Sequence, residues 1–181
     1  MTRYFLSRIS IEGFRGINNS GEPLVIPLKP DAVNSIHAPN GVGKTSVFEA
    51  IHFVVFGTVP RLEKLQSAER PDTYIVNRFN PSAEAIVELE FEADDGSGKI
   101  RVAVRRDGSG QKTISSPSRH PDPEGFLQRL REDFVLVDYG KFSEFIDASA
   151  LARGRSFASL VGLSKYSRLR QALEGQAKRG R

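Results

Sequence analysis

The chain of 181 residues contains no cysteine, which excludes disulfide bonds, zinc ribbons and thiol catalysis and fits a cytosolic setting. It also lacks long apolar runs. The longest, residues 53–56, falls far short of the roughly 20 residues that span a membrane. The N-terminus has no apolar stretch of the signal-peptide type, so nothing indicates export. With 39% hydrophobic and 27% charged residues, the composition predicts one folded domain.

Charge is distributed unevenly along the chain. The net charge is +4, yet residues 151–181 hold eight lysine or arginine residues and one acid, whereas residues 1–150 hold 18 basic and 21 acidic residues. A basic tail can bind the phosphates of nucleic acid, and it can equally be the solvated face of a helix. We therefore expect a lobe over residues 1–150 and a basic helical segment over residues 151–181.

The hydrophobic pattern predicts a mixed α/β domain. A helix from about Lys44 to Phe56 is apolar nearly all round, which indicates burial between layers, and Gly57 suits a left-handed stop after it. A shorter helix is predicted near residues 126–132. The predicted strands cover residues 5–12, 24–28, 33–37, 83–93, 99–105, 112–115 and 134–137. The strands after residue 82 alternate apolar and polar residues, as in an antiparallel meander with one wet face.

Residues 38–45, APNGVGKT, have the pattern of a phosphate-binding loop between a strand and a helix. The two glycines let backbone N–H groups approach phosphate oxygens, and the following helix N-terminus favours anions. In this pattern Lys44 bridges the β- and γ-phosphates and the Thr45 hydroxyl holds Mg²⁺. Ala38 stands where the pattern has a glycine, which requires an ordinary backbone conformation at that position.

Two kinds of phosphate-loop protein fit this motif. In a small self-contained kinase-like or GTPase-like NTPase, the apolar strand before Asp138 would be the second motif, and its carboxylate would hold Mg²⁺. Alternatively, the chain is half of a larger ATPase head. A compact NTPase needs alternating strands and helices to build its parallel sheet. The antiparallel hairpins between Lys44 and residue 134 favour the larger head.

The segments LSRISIEGFRGI and APNGVGKTSVFEAIHFVVFG resemble the N-terminal ATPase lobe of SMC and SbcC-like proteins. These are ABC-type ATPases of DNA repair and chromosome maintenance, to which RecF and RecN are related. Residues 134–174 resemble the segment that leads from the Q-loop of these proteins into their coiled coil. The resemblance, which covers about residues 5–57 and 134–174, implies a P-loop head lobe with a mixed sheet beside an antiparallel β layer.

The resemblance also implies a site for ATP and Mg²⁺. The nucleotide-binding residues it implies are Arg15, Asn40, Gly41, Val42, Gly43, Lys44, Thr45 and Ser46. Arg15 can equally be an ordinary surface arginine at a strand end. Tyr139 stands at the position of the family's Q-loop glutamine, and a tyrosine hydroxyl is a weak metal ligand. Asp138 could hold Mg²⁺ together with Thr45 instead, or the metal is held differently.

The sequence contains neither an LSGGQ-like stretch nor an apolar strand that ends in Asp-Glu, so a general base is not apparent. In the family these motifs lie in a C-terminal lobe beyond the coiled coil. We therefore expect a piece of a longer protein, nearly inactive alone, in which ATP drives head engagement for a DNA repair, processing or anti-phage transaction. The implied partners are its own C-terminal lobe, a second head in a homodimer, DNA and a nuclease subunit, but no membrane. The implied location is cytoplasmic, or nucleoid-associated in a bacterium.

Three further patterns have alternative interpretations. Basic residues at 101, 105, 106 and 112 could face DNA, but the glutamates at 88, 90 and 92 favour cross-strand ion pairs. His52 lies on the buried helix and is expected to be a hydrogen-bonded core residue. The apolar positions over residues 157–173 fit either the start of a coiled coil or one helix packed on the lobe, because barely two heptads are present.

Overall fold

The computed structural model describes residues 2–19, 21–63, 65, 74–80, 82–133, 143, 145–150, 152–154 and 157. The predicted strand at residues 134–137, Asp138, Tyr139 and nearly all of the basic segment lie outside the described residues. The chain divides into two compact units, residues 1–128 and residues 129–181. In the second unit, the Arg153 N–H donates to the Ser149 carbonyl at 2.8 Å within a short helical stretch.

The first unit is built on an antiparallel sheet. Its strands are β1 (Tyr4–Glu12), β2 (Leu24–Pro27), β3 (Glu84–Ala93), β4 (Lys99–Asp107) and β5 (Lys112–Ser115). They lie in the order β2-β1-β3-β4-β5, and every described pair is antiparallel. The α/β class and the antiparallel layer predicted from the sequence are therefore confirmed.

The two faces of the sheet differ as the alternating pattern predicts. On one face the apolar side chains of the central strands are buried, among them Val87, Leu89 and Phe91 of β3. On the other face oppositely charged side chains pair across β3 and β4. Among these pairs are Lys99 with Glu90 at 3.1 Å, Arg101 with Glu88 at 3.6 Å, and Arg105 with Glu84 at 3.3 Å. The cross-strand ion pairs account for these charges without a ligand.

Helix α1 (Lys44–Phe56) lies against the buried face of the sheet and forms the middle of the core. Phe53 is fully buried, with its ring centroid 5.5 Å from that of Phe14. His52 is buried, and its Nδ1 is 2.9 Å from the Thr58 carbonyl, so the predicted core histidine is confirmed. The helix ends at the left-handed Gly57, whose N–H donates to the Phe53 carbonyl at 3.0 Å.

Two shorter helices follow α1 along the chain. Helix α2 (Pro60–Glu63) lies where the sequence analysis predicts neither a helix nor a strand, and helix α3 (Pro123–Asp133) covers the helix predicted near residues 126–132. Phe126 of α3 packs edge-on to Phe91 of the sheet at 5.3 Å. In the described parts of the chain, no helix combines the length and the apolar composition needed to cross a lipid bilayer.

The predicted strand at residues 33–37 is wrong. These residues belong to no described strand and are exposed, with Val33 fully accessible to solvent. A strand requires a neighbour for its backbone N–H and C=O groups. No described strand pairs with this segment in the order β2-β1-β3-β4-β5, so its backbone joins no described ladder.

Candidate nucleotide-binding site

The loop before α1 has the backbone conformation that a phosphate cradle needs. Gly41 and Gly43 adopt φ angles of 87° and 100°, in the region that residues with a Cβ rarely occupy. A Cβ on Gly43 would lie 3.3 Å from Ile17 Cγ1, so the loop also sits close to the chain after β1. Ala38 is not among the described residues with positive φ, so alanine is tolerated there as the sequence requires.

Helix α1 begins without a side-chain cap. Its N-cap residue, Gly43, has no side chain that could cap the helix with a hydrogen bond, and the first turn contains no acidic residue. The Val47 N–H donates to the Gly43 carbonyl at 3.1 Å and so closes the first turn of the helix. The N–H groups that precede Val47 therefore point out of the helix end, where the macrodipole favours an anion.

Lys44 folds its side chain back over this loop. Its Nζ donates to the carbonyl oxygens of Ala38 at 2.6 Å and Pro39 at 2.7 Å, and reaches Asn40 Oδ1 at 3.4 Å. The ammonium group thus lies at the loop, held by three neutral acceptors. A phosphate oxygen carries more negative charge than a carbonyl and forms a stronger hydrogen bond with the same ammonium group.

The two hydroxyl residues that follow Lys44 differ in their surroundings. Thr45 is exposed at the mouth of a cleft, whereas Ser46 is buried and its Oγ accepts the Gly16 N–H at 3.3 Å. The Ser46 contact ties the first turn of α1 to the chain that follows β1. Val42 leaves its side chain largely in solvent, so only its backbone can take part in a cradle.

Arg15 is partly buried in an ion pair, and is not an ordinary surface arginine. Its Nε donates to Glu49 Oε2 at 3.0 Å, and its Nη1 donates to the Tyr74 carbonyl at 3.3 Å. The side chain of Arg15 is 19% exposed, and that of Glu49 is 3% exposed. A second guanidinium, that of Arg61, has its Nε 3.7 Å from Glu49 Oε1.

Glu49 and Arg61 are functional candidates that the sequence reasoning missed. The available signal was a glutamate in a helix that is otherwise apolar nearly all round. A buried carboxylate is stable only with a partner, so this position predicts a cation nearby. The sequence alone cannot show that the partners come from residues 15 and 61, because both are distant along the chain.

A cleft of about 770 Å³ joins several of these groups. Three of the predicted nucleotide-binding residues line it, namely Arg15, Thr45 and Ser46. Its other lining residues are Gly16, Asn18, Glu49, Arg61, Tyr74, Val76, Asn77, Arg78 and Phe79. Asn40, Gly41, Val42, Gly43 and Lys44 form the loop at the start of α1 and do not line this cleft. Asp138 and Tyr139 lie outside the described residues.

The residues present fit a nucleotide with Mg²⁺. The left-handed glycines, the uncapped helix start and the Lys44 ammonium group supply donors and positive charge for phosphates. Mg²⁺ usually keeps several waters and takes its remaining ligands from substrate phosphates and a few protein oxygens. The exposed Thr45 hydroxyl can supply one such oxygen. No group of three or more acidic, histidine or cysteine side chains forms a preformed metal cage among the described residues.

Most of this sequence matches known proteins. A family model described as an AAA domain matches residues 8–172. The chromosome partition protein Smc of Coxiella burnetii is 26% identical over 186 residues, which cover 95% of this chain and 16% of that protein. The SbcC component of the nuclease SbcCD of Pseudomonas aeruginosa is 27% identical over 179 residues, which cover 81% of this chain and 15% of that component. The chain thus spans about a sixth of the length of these relatives.

A solved structure shares the fold. It comes from work on ATP-driven dimerisation and DNA-stimulated activation of SMC ATPases, and it superposes with a TM-score of 0.67 at 21% identity. The match covers 86% of this chain and 98% of that one. Because the family model spans most of the sequence, the chain belongs to this AAA-domain family, as an N-terminal lobe of the SMC/SbcC-like ATPases.

Proposed function

We propose that this chain binds ATP at residues 38–46. The observation that carries the proposal is the geometry of the loop. Two left-handed glycines lead directly into an uncapped helix whose first residue, Lys44, holds its ammonium group over the same loop. Backbone N–H groups, a helix dipole and a fixed positive charge then converge on one place, as phosphate binding requires.

Each residue of the loop has a defined task in this proposal. Backbone N–H groups from Asn40 to Gly43 cradle the phosphates, and Lys44 exchanges its loop carbonyls for phosphate oxygens. The Thr45 hydroxyl supplies a protein oxygen to Mg²⁺, and Ser46 holds the helix start against Gly16. Bound ATP supplies the phosphoanhydride bond whose cleavage powers the whole protein.

In the full-length protein we propose that ATP binding joins two heads and that hydrolysis separates them. One relative is a chromosome partition protein and another is a nuclease subunit, which supports a DNA transaction in repair, processing or defence. A nuclease subunit and DNA are therefore proposed partners, in the cytoplasm or on the nucleoid.

The exposed segment at residues 33–37 supports the proposed contact with a C-terminal lobe. Val33 is fully exposed and Ile36 is about half exposed. The segment VNSIH that contains them leads directly into the phosphate loop. Exposed apolar side chains on a segment that pairs with no described strand are typical of a chain that adds to a strand of a partner lobe. A lobe supplied by the rest of the protein would cover this segment.

The experiment that tests ATP binding is a titration of the chain with a fluorescent ATP analogue, with and without Mg²⁺, and with GTP as competitor. We expect saturable binding that is lost in Lys44→Ala. Two charge-assisted hydrogen bonds to phosphate correspond to roughly 100-fold in affinity. The matched control is Lys29→Ala, which removes the same charge from an exposed position outside the loop. Equal affinity of Lys44→Ala and the unmodified chain would refute the proposed site.

A hydrolysis assay separates the two classes of NTPase. As half of a head, the isolated chain should show negligible steady-state ATP hydrolysis, because the signature stretch and a general base are absent from its sequence. A robust rate that disappears in Lys44→Ala would instead support the self-contained NTPase, with Asp138 as its metal-binding carboxylate.

A further inference from the structure

Glu49 is an unusual residue for the interior of an apolar helix. It lies in the second turn of α1, its side chain is 3% exposed, and its Oε1 has no hydrogen-bond partner. Burial of a carboxylate costs free energy unless cations and donors compensate it. Two guanidinium groups compensate it. Arg15 Nε lies 3.0 Å from Glu49 Oε2, and Arg61 Nε lies 3.7 Å from Glu49 Oε1, which is beyond hydrogen-bond range.

We propose that Glu49 is a positioning residue that holds the Arg15 guanidinium in the wall of the cleft, ready to contact the bound nucleotide. This inference rests on the proposed function, because it concerns the same site. Arg15 and Glu49 line the cleft together with Thr45 and Ser46. Glu49 does not touch the nucleotide in this proposal and acts only through Arg15.

The backbone of Arg15 is fixed as firmly as its side chain. Its φ of 55° is left-handed, which is uncommon for a residue with a Cβ. Its N–H donates to the Ile75 carbonyl at 2.9 Å, and its carbonyl accepts from Asn77 Nδ2 at 2.6 Å. Because the backbone N–H, the backbone carbonyl and the guanidinium group of Arg15 are all hydrogen-bonded, little conformational freedom remains to be lost when a ligand binds.

The charge balance indicates that the cluster serves an anion. Arg15 and Arg61 contribute two positive charges and Glu49 contributes one negative charge, so the three side chains carry a net charge of +1 at the cleft. A carboxylate that only neutralised one buried arginine would leave no excess positive charge. Here a positive wall remains beside the start of α1, whose dipole also favours negative charge.

A double-mutant cycle tests this proposal with the fluorescent ATP analogue and Mg²⁺. We expect Glu49→Ala and Arg15→Ala each to weaken ATP binding about tenfold, since each removes a charge-assisted hydrogen bond or its geometry. The double variant should be no weaker than either single variant, because Glu49 acts through Arg15. Glu49→Gln keeps an acceptor for Arg15 and should lose only about threefold.

The controls separate positioning from general damage. Glu124→Gln removes the same charge at an exposed position of α3 and should leave ATP affinity unchanged. Unchanged or tighter binding in Glu49→Ala, or losses that multiply in the double variant, would overturn the positioning role. If circular dichroism shows that Glu49→Ala is unfolded, Glu49→Gln with and without Arg15→Ala completes the same cycle.

If Lys44→Ala binds as tightly as the unmodified chain, the proposed ATP site fails. If only Lys44→Ala loses binding, the site stands and the role of Glu49 is wrong.

Discussion

The two glycines of the phosphate loop allow a sharp test, because their surroundings differ. Both have positive φ, 87° at Gly41 and 100° at Gly43. A Cβ on Gly41 would meet no atom within 4 Å, whereas a Cβ on Gly43 would lie 3.3 Å from Ile17 Cγ1. Substitution by alanine therefore adds backbone strain at both positions and a side-chain contact at only one of them.

The expected costs follow from these two terms. A left-handed conformation costs a non-glycine residue roughly 1–2 kcal/mol, and the stiffer unfolded chain returns about 0.4–1 kcal/mol. We expect Gly41→Ala to lower the free energy of unfolding by about 1 kcal/mol. For Gly43→Ala, displacement of the buried Ile17 adds overpacking, so a loss of about 2 kcal/mol is expected. Both variants should bind ATP more weakly. The loop relaxes away from the positive φ angles that strain an alanine, and its N–H groups then no longer point toward the phosphates.

Urea denaturation measures the stability difference, and the fluorescent ATP titration measures the affinity. The matched control is Gly96→Ala, at a hairpin turn with φ of 68° and no atom within 4 Å of the place that a Cβ would take. It should cost about as much stability as Gly41→Ala, about 1 kcal/mol, and leave ATP affinity unchanged. The reasoning is refuted if Gly43→Ala is as stable as Gly41→Ala and both bind ATP like the unmodified chain.

Two further predictions concern stability alone. Phe53 is fully buried against Phe14, so Phe53→Ala should lower the free energy of unfolding by about 3–5 kcal/mol in urea denaturation; a loss under about 1 kcal/mol would contradict this packing. The Ser109 hydroxyl, with backbone N–H groups of the same turn, holds the pKa of Asp107 below its ordinary value. A carboxyl group whose pKa is lowered by folding stabilises the fold at pH values above its unfolded-state pKa. That stabilisation is lost as the pH falls through its folded-state pKa. Asp107→Asn should therefore be less stable than the unmodified chain at neutral pH, with a difference that vanishes in acid; a difference independent of pH would contradict the role of the carboxylate.

Local pattern was sufficient for most elements near the site. The predicted helix from Lys44 to Phe56 has the bounds of α1, and the predicted stop at Gly57 is present. The hairpins of β3, β4 and β5 also follow the alternation of apolar and charged residues. These features depend on side chains two to four positions apart, which the sequence displays directly. The glycine-rich motif also predicts unusual backbone dihedrals at Gly41 and Gly43, and their positive φ angles confirm this.

The segment at residues 33–37 shows where local pattern is insufficient. Its residues favour a strand, yet a strand forms only when another strand supplies hydrogen-bond partners. No described strand pairs with it, and the segment is exposed. Partner availability is a property of the whole assembly, and the pattern of five residues cannot report it.

By itself the sequence determined the glycine-rich loop, the buried helix that follows it and the hairpins of β3, β4 and β5, because each depends on contacts within short stretches. Only the tertiary structure showed that Arg15, Glu49 and Arg61 meet beside that loop. Residues 15 and 49 are brought together when β1 and α1 pack on each other, and the turn after α1 then places Arg61 at the same carboxylate. An ion pair between distant positions is decided by packing, since electrostatic attraction acts through space and not along the chain.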